Sequence, residues 1–317
     1  MRVLYVTNNF PNKFRPVFGI FVKEQIESVA SLGIDIEVFF INAKDLGKWE
    51  YLKAAVRLRK KLAKNRYDII HCHHSFSGLS LLLSGKIRAA KTVLSYQADP
   101  VNEGGSLLFR LLHPFFSRIL FKNRSVFLKY RGTYSLPNGV NTGFFTPLDR
   151  KLSQEKLSLD PDKTYILFVS SNSIRKQKRI DRFEEIITLL KKKLPAINIT
   201  PLILTNTERS VMPYYICTSS LHILTSDFEG SPNSVKECLA CNVPVVSTPV
   251  GNVKEMIGDV EGCYVSESFD SEEIAGLAEK AIMYGSVDGR KALEEKQLSQ
   301  ESVAKKLVAI YESLVTL

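Results

Sequence analysis

The sequence lacks the features that mark membrane-spanning and secreted proteins. No run approaches the roughly 18 consecutive apolar residues that a membrane-spanning helix needs. The first residues, MRVLYVTNNFP, have neither the long apolar core nor the small-residue cleavage site of a signal peptide. Only five cysteines occur, an odd number without the spacing of a disulfide framework. We therefore expect a cytoplasmic protein.

Two short groups of potential ligands do not predict a metal or redox centre. Cys238 and Cys241 form a C-x-x-C pair, which is interpreted as two small residues in a buried helix rather than a reactive dithiol. In the run H-C-H-H at 71–74, alternate side chains of a strand point to opposite faces, so at most two would converge. We predict no metal site and no cofactor.

Charge is distributed unevenly along the chain. Residues 1–150 carry 23 Lys and Arg against 10 Asp and Glu, whereas residues 151–317 carry 20 against 23, giving +13 and −3. This asymmetry predicts an anionic partner for the first half: a phosphorylated substrate, an anionic lipid or a nucleic acid. No recognised nucleic-acid-binding module accompanies the charge, so a nucleic-acid partner is not expected.

Two basic segments carry much of this charge, at 49–66 and 107–124. They are interpreted either as helices packed on a sheet with solvated outer faces, or as helices that dock on anionic lipid. In the second case the protein would be peripheral on the inner face of the membrane.

Apolar segments alternate between strand and helix patterns in both halves, which predicts an α/β fold with parallel sheets covered by helices. In the first half the predicted strands are 3–7, 34–40, 68–72 and 92–97, and the predicted helices are 20–32, 51–65, 78–90 and 106–122. In the second half the predicted strands are 165–170, 198–204, 221–225, 243–247 and 263–265, and the predicted helices are 181–193, 232–241, 271–284 and 298–314.

These patterns predict two domains, 1–148 and 149–317. The turn-rich segment LPNGVN, at 136–141, lies near the end of the first domain, and a polar linker at 149–163 begins the second. We expect the two domains to face a cleft that grips a ligand, and the last helix to pack back on the first domain.

The segment 224–251, LTSDFEGSPNSVKECLACNVPVVSTPVG, predicts an anion site. A strand leads into a loop with Glu229, and Ser231 is the expected N-cap of a helix with Pro232 at its first position. The free amides of Asn233, Ser234 and Val235 would then face an anion such as a diphosphate, with Glu237 one turn further, within reach of a ribose diol. The alternative is an ordinary capped helix with two solvated glutamates.

The same segment resembles the E-x-seven-E signature of glycosyltransferase family 4, followed by the Pro-Val-Val strand and Val-Gly turn of that family. Other pieces resemble the family in the expected order: Phe18-Gly19, YDIIHCHH at 67–74, LPNGVNTGFFTP at 136–147 and the basic loop 175–179. The resemblance covers about residues 1–285 and is nearest to transferases that build bacterial surface polysaccharides.

The resemblance implies the GT-B fold, with two Rossmann-like parallel-sheet domains facing a cleft, and a metal-independent glycosyltransferase of the hexosyltransferase type. It would move a sugar from a nucleoside-diphosphate sugar, with retention, to a hydroxyl of a glycan or lipid-linked acceptor. Alternatives are a nucleotide-sugar epimerase of the same fold and a non-catalytic sugar-nucleotide-binding subunit.

The resemblance also assigns roles to residues. Glu229 would contact the donor sugar, Glu237 the ribose, and the amides of Asn233–Val235 the diphosphate. Arg175 and Lys178 would stabilise the leaving phosphates. Ser173 stands where the family has Arg, so Arg175 is taken as the substitute for that residue, with Lys176 as the alternative. Gly19 would let the backbone approach the donor phosphate.

Two further residues are assigned to the acceptor side, His73 and Gln97. Gln97 stands where many members of the family carry a histidine, and an amide cannot act as a base. The chain is also shorter than the family between 123 and 135 and between 199 and 221, and the second gap lies where contacts to the nucleotide base are expected.

Overall fold

The computed structural model describes the chain except for residues 98, 99, 102, 124, 125, 171–175 and 317. The chain forms two compact units. The first comprises Met1–Asn138 together with the segment from Glu301 onward, and the second comprises Gly139–Gln300. Within the described ranges, no helix is long and apolar enough to cross a membrane.

The first unit is built on a six-stranded sheet in the order β2-β1-β3-β4-β5-β6, and every pairing is parallel. Its strands are β1 (Arg2–Thr7), β2 (Asp35–Phe40), β3 (Ile69–His73), β4 (Lys91–Ser95), β5 (Arg118–Phe121) and β6 (Thr133–Ser135). The central strands are buried on both faces, which is why they read as continuous apolar runs.

Helices cover both faces of this sheet. They are α1 (Ile20–Ala30), α2 (Ala43–Leu46), α3 (Glu50–Lys64), α4 (Ser75–Leu83) and α5 (Gly105–Leu112), with short 3-10 helices at His113–Phe115 and Val126–Lys129. Buried side chains of α3, α4 and α5 form the core on one face of the sheet. On the other face α1 packs beside the last helix of the chain, α13 (Gln300–Val315).

The helix expected at 106–122 is wrong in its second half. The α5 helix ends at Leu112, a 3-10 turn containing Pro114 follows, and the chain then enters β5. Proline lacks the N–H that would continue the helix. In β5 the side chains alternate between cores, since Ile119 and Phe121 pack on one face and Leu120 on the other.

The second unit has a five-stranded parallel sheet in the order β11-β10-β9-β7-β8. Its strands are β7 (Thr164–Ser170), β8 (Ile199–Thr205), β9 (Ser219–Leu224), β10 (Val245–Ser247) and β11 (Tyr264–Val265). Its helices are α6 (Arg150–Lys156), α7 (Ile180–Lys193), α8 (Met212–Thr218), α9 (Asn233–Ala240), α10 (Val253–Ile257), α11 (Ser271–Tyr284) and α12 (Gly289–Glu295). The parallel α/β class expected for both halves is confirmed.

The two units divide at Asn138, whereas the sequence pattern placed the boundary at residue 148. Val140 and Phe145 are buried in the core of the second unit, which explains the earlier division. Arg290 of α12 also donates to the carbonyl oxygens of Thr142 and Phe145, at 3.0 and 2.9 Å. These bonds tie the residues that follow the turn-rich segment to the second unit.

Candidate donor site

In the second sheet, the direction in which the chain adds successive strands reverses between the adjacent strands β7 and β9. From β7 the chain crosses to β8 on one side, whereas β9 is followed by β10 on the other side. The loops that leave the carboxyl ends of β7 and β9 therefore diverge, and the crevice between such loops is where ligands bind in open α/β sheets. Lys178 lies in the first loop and Glu229 in the second.

These two predicted residues form a close ion pair. The Lys178 Nζ donates to Glu229 Oε1 at 2.6 Å, and both side chains are largely buried. Ser226 Oγ donates to the same carboxylate oxygen at 2.7 Å. Thr225 Oγ1 bonds the carbonyl oxygen of Lys178 at 2.8 Å, which links the two loops through the backbone as well. The structure thus brings together two side chains that are 51 residues apart in sequence.

The predicted anion site is the start of α9, directly after this loop. The helix begins at Asn233, and no hydrogen bond from the described residues reaches the amides of Asn233, Ser234 or Val235 outside the helix. Backbone N–H groups in the first turn of a helix have no partner within the helix, and together with the helix dipole they favour an anion. These three residues therefore present unpaired donors at the carboxyl edge of β9.

The expected cap of this helix is wrong. Pro232 occupies the N-cap position, and its side chain makes no capping hydrogen bond. The hydroxyl of Ser231 instead accepts a hydrogen bond at 2.9 Å from Lys236 Nζ, which is fully buried and also bonds the Ser231 carbonyl. Because a buried ammonium must find acceptors, Lys236 takes the hydroxyl that would otherwise cap the helix. The first-turn amides are left open as a result.

A buried histidine fixes the position of the same helix start. His222 of β9 lies between the Leu167 carbonyl oxygen, 3.0 Å from Nδ1, and the Ser234 hydroxyl, 3.0 Å from Nε2. A neutral ring that donates from Nδ1 accepts the Ser234 hydroxyl proton at Nε2. Burial lowers the pKa of His222 to about 4, so the ring stays neutral near pH 7. Sequence reasoning missed this residue, whose only signal was a lone polar side chain within an apolar strand.

Glu237 has a partner that the sequence did not indicate. Arg209, in a 3-10 helix (Arg209–Val211) after β8, donates from Nη1 to Glu237 Oε1 at 2.6 Å. The guanidinium also lies over the ring of Phe145, 4.5 Å from its centre. A charged and stacked arginine holds the carboxylate in one orientation on the first turns of α9.

A close backbone approach positions the Glu229 loop from the other side. Gly251 has a φ of +56°, and a Cβ there would lie 2.4 Å from the carbonyl oxygen of Gly230. The Asn252 amide donates to that same oxygen at 3.2 Å. Thr248 Oγ1 also donates to the Ser226 carbonyl at 2.7 Å. The Val-Gly turn therefore supports the loop that carries Glu229, and only glycine fits there.

The remaining cations of the basic loop have different surroundings. Arg179 forms ion pairs with Asp181 and Asp227, at 2.7 and 3.2 Å. Arg182 of α7 binds Asp227 as well, at 3.0 Å. Arg179 is thus directed away from Glu229, whereas Lys178 contacts it. Arg175 lies outside the described residues, and its alternative Lys176 begins the 3-10 helix Lys176–Lys178.

The other predicted site residues belong to the first unit. Gly19 precedes α1 with a φ of +70°, and a Cβ there would lie 2.4 Å from the backbone of Asn9, so the local packing itself requires glycine. His73 ends β3 and Gln97 follows β4, and Gln97 Nε2 lies 3.1 Å from His73 Nδ1. The structure brings these two together.

Groups that could hold a metal are absent from the described ranges, since no cluster of three or more His, Cys, Asp or Glu side chains has a suitable arrangement. The rings of His71 and His73 are tilted by 34° to each other, with their centres 4.4 Å apart. His71 bonds Tyr311 and Ser95, at 2.5 and 2.7 Å, so its two nitrogens are used within the protein.

Comparisons with known proteins agree with this arrangement. Residues 190–283 match the family described as "Glycosyl transferases group 1", a span that includes Glu229 and α9. The matched span lies entirely within the second unit. A curated relative from Bacillus subtilis, the putative teichuronic acid biosynthesis glycosyltransferase TuaC, is 24% identical over 335 residues, covering 81% of this chain and 83% of that protein.

Solved structures extend the likeness to the whole chain. Sucrose-phosphate synthase from Thermosynechococcus elongatus superposes with a TM-score of 0.77 at 14% identity, covering 99% of both chains. Anabaena HepE in complex with UDP gives 0.66 at 14% identity, covering 100% of both chains. HepE in complex with UDP-glucose gives 0.67 with the same coverage. The chain has the GT-B fold, and the family match and the curated relative support a glycosyltransferase.

Proposed function

We propose that this protein is a retaining, metal-independent glycosyltransferase that moves a hexose from a nucleoside-diphosphate sugar to a hydroxyl of a glycan or lipid-linked acceptor. The observation that supports it best is the juxtaposition of the Lys178–Glu229 ion pair with the open amides at the start of α9. The similar Anabaena HepE has been crystallised with UDP and with UDP-glucose. A nucleotide-sugar donor fits this combination of amides, cation and carboxylate.

Each group in the second unit has a role in this proposal. The amides of Asn233–Val235 bind the diphosphate, and Glu237, oriented by Arg209, binds the ribose hydroxyls. Glu229 binds hydroxyls of the donor sugar. Lys178 has three N–H groups and, among the described residues, uses one on Glu229, which leaves the others to turn toward the leaving phosphate.

Charge develops on the diphosphate as the bond to the sugar breaks. Fixed donors aimed at that charge lower the barrier without any reorganisation at the moment of reaction. The Lys178 ammonium and the helix dipole supply positive charge where an enzyme of another design would use a metal ion. In a retaining reaction of this kind, the departing phosphate accepts the proton of the attacking hydroxyl, so Gln97 need not act as a base.

The sequence contains one Asp-x-Asp pair, Asp160 and Asp162, and its position argues against a metal role. The pair lies in the turn before β7, at the amino end of the strand, whereas the α9 amides lie at the carboxyl edge of the same sheet. Asp160 already faces Lys163 at 3.6 Å and accepts the Asp162 amide at 3.0 Å. It is a surface turn rather than part of the donor site.

A panel of nucleoside-diphosphate sugars, each tested with and without a polyprenyl-phosphate-linked or glycan acceptor, tests the proposal through release of nucleoside diphosphate. We expect release that depends on one donor and survives EDTA, with the anomeric configuration of the product matching that of the donor. Binding without release under every condition would support a non-catalytic subunit, and loss of activity with EDTA that magnesium or manganese restores would contradict metal independence.

We further propose that the first unit docks on an anionic membrane surface. On α3 the side chains of Leu52 and Val56, with Trp49 just before the helix, are exposed at spacings that share one helix face. On α5, which covers the same face of the sheet, Leu107 and Leu111 are exposed one turn apart. Exposed apolar residues on a basic helix, as on α3, are typical of interfacial binding, and α5, which carries one cation, Arg110, adds exposed apolar area.

The cations on α3 are available for lipid headgroups. Arg57 and Lys61 bind Glu50 and Glu37, but several others form no ion pair with any described residue and are exposed: Lys53, Arg59, Lys60 and Lys64. Each basic residue near an anionic surface contributes about 1 kcal/mol. Four such residues together contribute about 4 kcal/mol, and the exposed apolar side chains of α3 and α5 add to this attraction.

Co-sedimentation with phosphatidylglycerol vesicles tests this second proposal. We expect the double variant Lys60→Glu/Lys64→Glu to bind less than the matched control Lys191→Glu/Lys192→Glu, whose lysines are exposed on α7 of the second unit. Likewise Leu107→Ser should weaken binding, and Met283→Ser, at a residue 70% exposed on α11, should not. Equal loss in both pairs, or equal binding to neutral vesicles, would contradict the docking surface.

A further inference from the structure

Three neighbouring strands of the first sheet end in polar side chains that are withdrawn from solvent. His73 is the last residue of β3, Gln97 lies two residues after β4, and Lys122 directly follows β5. Because β3, β4 and β5 are adjacent and parallel, these residues share one edge of the sheet. His73 and Lys122 are each only 1% exposed.

Lys122 has no partner for its charge among the described residues. Its Nζ is buried and forms no hydrogen bond with a described residue, and no described carboxylate comes within ion-pairing distance of it. Burial lowers the pKa of Lys122 to about 8, and the charge of Glu103 acts in the opposite direction. A buried ammonium without acceptors is unfavourable by several kcal/mol, and for that reason such groups are rare unless a ligand or function maintains them.

The neighbouring histidine also presents an unused donor. The Gln97 amide nitrogen donates to His73 Nδ1 at 3.1 Å, and a neutral ring that accepts at Nδ1 carries its proton on Nε2. His73 Nε2 is buried and has no hydrogen-bond partner in the described part of the chain. In the strand register His73 pairs with Ser95 and Ser95 with Leu120, so His73 and Lys122, two residues beyond Leu120, lie on the same face of the sheet. Burial lowers the pKa of His73, and the charge of Lys122 lowers it further.

We propose that Lys122 and His73 form a subsite in the first unit for an oxyanion carried by the acceptor, a phosphate or a carboxylate. Two buried donors without acceptors match a ligand that is rich in oxygen lone pairs, and the unpaired positive charge matches an anion. This inference rests on the proposed function, because that function requires an acceptor and the donor site occupies the second unit. It assigns a charged group to the acceptor, which the glycosyltransferase fold alone does not.

Inorganic phosphate and glucuronate serve as probes for the two sources of such a group, and glucose is the neutral comparison. Titration calorimetry is carried out with the nucleoside-diphosphate site already saturated, so that the α9 amides do not capture the phosphate. We expect one of the two anions to bind in the millimolar range, and glucose not to bind at this subsite. The anion that binds identifies whether the acceptor group is a phosphate or a carboxylate.

Lys122→Met tests the residue, since it keeps the length of the side chain and removes the charge. Anion binding should weaken at least tenfold, whereas affinity for nucleoside diphosphate should not change. Lys91→Met is the matched control, because Lys91 is exposed at the amino end of β4, on the opposite edge of the same sheet. That control should bind the anion as the wild type does.

Two further readouts separate a binding role from a structural one. An apolar side chain in place of an unpaired buried charge should leave the unfolding temperature unchanged or higher. At pH 8 the wild type should take up a fraction of a proton, up to about one half, when the anion binds, and Lys122→Met should take up none. A marked fall in unfolding temperature would show instead that Lys122 is a structural counter-ion of Glu103.

Absence of phosphate and glucuronate binding in the wild type, or equal binding in Lys122→Met, would overturn the subsite. Both results leave the proposed function intact if nucleoside diphosphate still binds the second unit. If the wild type does not bind nucleoside diphosphate, the proposed function itself is refuted. The two failures are therefore distinguishable.

Discussion

The pairing of Arg209 with Glu237 leads to a prediction about nucleotide affinity. Glu237 is largely buried on the first turns of α9, and Arg209 holds its Oε1 at 2.6 Å. The substitution Glu237→Gln keeps the size of the side chain and an acceptor for Arg209, but it removes the negative charge. If the carboxylate accepts hydrogen bonds from the ribose hydroxyls, those bonds are charge-assisted in the wild type and neutral in the variant.

The expected loss follows from the energies of such bonds. Hydrogen bonds to a charged group contribute about 1.5–3 kcal/mol and neutral ones about 0.5–1.5 kcal/mol, so replacing one by the other costs about 1–2 kcal/mol. Glu237→Ala removes the bonds completely and should cost about 1–3 kcal/mol. Since 1.4 kcal/mol is a factor of ten, the Kd for nucleoside diphosphate should rise by roughly 5- to 150-fold in Glu237→Ala.

Arg209→Met separates orientation from contact. The carboxylate remains but loses its partner, so we expect a smaller rise in Kd than Glu237→Ala gives. The double variant should be no weaker than Glu237→Ala alone, because orientation has no effect once the carboxylate is gone. Additive losses would show that Arg209 contacts the nucleotide independently.

Isothermal titration calorimetry with nucleoside diphosphate measures these effects, and Asp259→Asn is the matched control. Asp259 pairs with Lys296 at the same distance, 2.6 Å, on the surface of the same unit. That variant should bind nucleotide as the wild type does. Unchanged Kd values in both Glu237 variants would remove Glu237 from the donor site and refute the reasoning.

Further predictions concern turnover, backbone geometry and pH. Lys178→Ala should lower turnover by about 10²–10³ with a smaller effect on donor Kd, as for loss of one fixed electrostatic donor. Arg179 pairs with Asp181 and Asp227 among the described residues, so Arg179→Ala should lower turnover little; a larger fall in kcat for Arg179→Ala than for Lys178→Ala would contradict the assignment. Gly251→Ala should lower both the unfolding temperature and turnover, because its Cβ would meet the Gly230 carbonyl; a fully active, equally stable variant would contradict that role. Burial lowers the pKa of four histidines, so below about pH 6.5 the unfolded state binds more protons than the folded state. The free energy of unfolding should therefore fall between pH 7 and pH 5, by up to about 1.4 kcal/mol per pH unit for each histidine. Urea unfolding at several pH values measures this fall, and a flat profile would contradict it. The four histidines are His71, His73, His74 and His222.

The parts of the fold that the sequence predicted are those governed by local pattern. The central parallel strands are continuous apolar runs, and the start of α9 was predicted to within one residue because Pro232 cannot continue a helix backward. The strand β5 was missed, since Arg118–Phe121 follows basic, apolar residues in a pattern that also fits a helix. Its apolar side chains alternate between two cores, which only the folded sheet reveals.

The parts of the site that could not be predicted depend on long-range contacts. Lys178 was chosen from its place in a motif, but its bond to Glu229 spans 51 residues. Arg209 lies 28 residues before Glu237 in a segment without a distinctive pattern. The sequence pattern predicts Lys122 at the end of a basic helix, whereas in the structure it directly follows β5 and is buried. Tertiary packing, rather than local sequence, brings these groups together.

A crystal structure of the protein with a bound nucleoside diphosphate tests the central claim most directly. The account predicts that the diphosphate lies at the amides of Asn233–Val235, with Lys178 within hydrogen-bonding distance of a phosphate oxygen and the ribose hydroxyls on Glu237. A nucleotide bound elsewhere, with these amides and Glu237 left in contact with solvent, would contradict it.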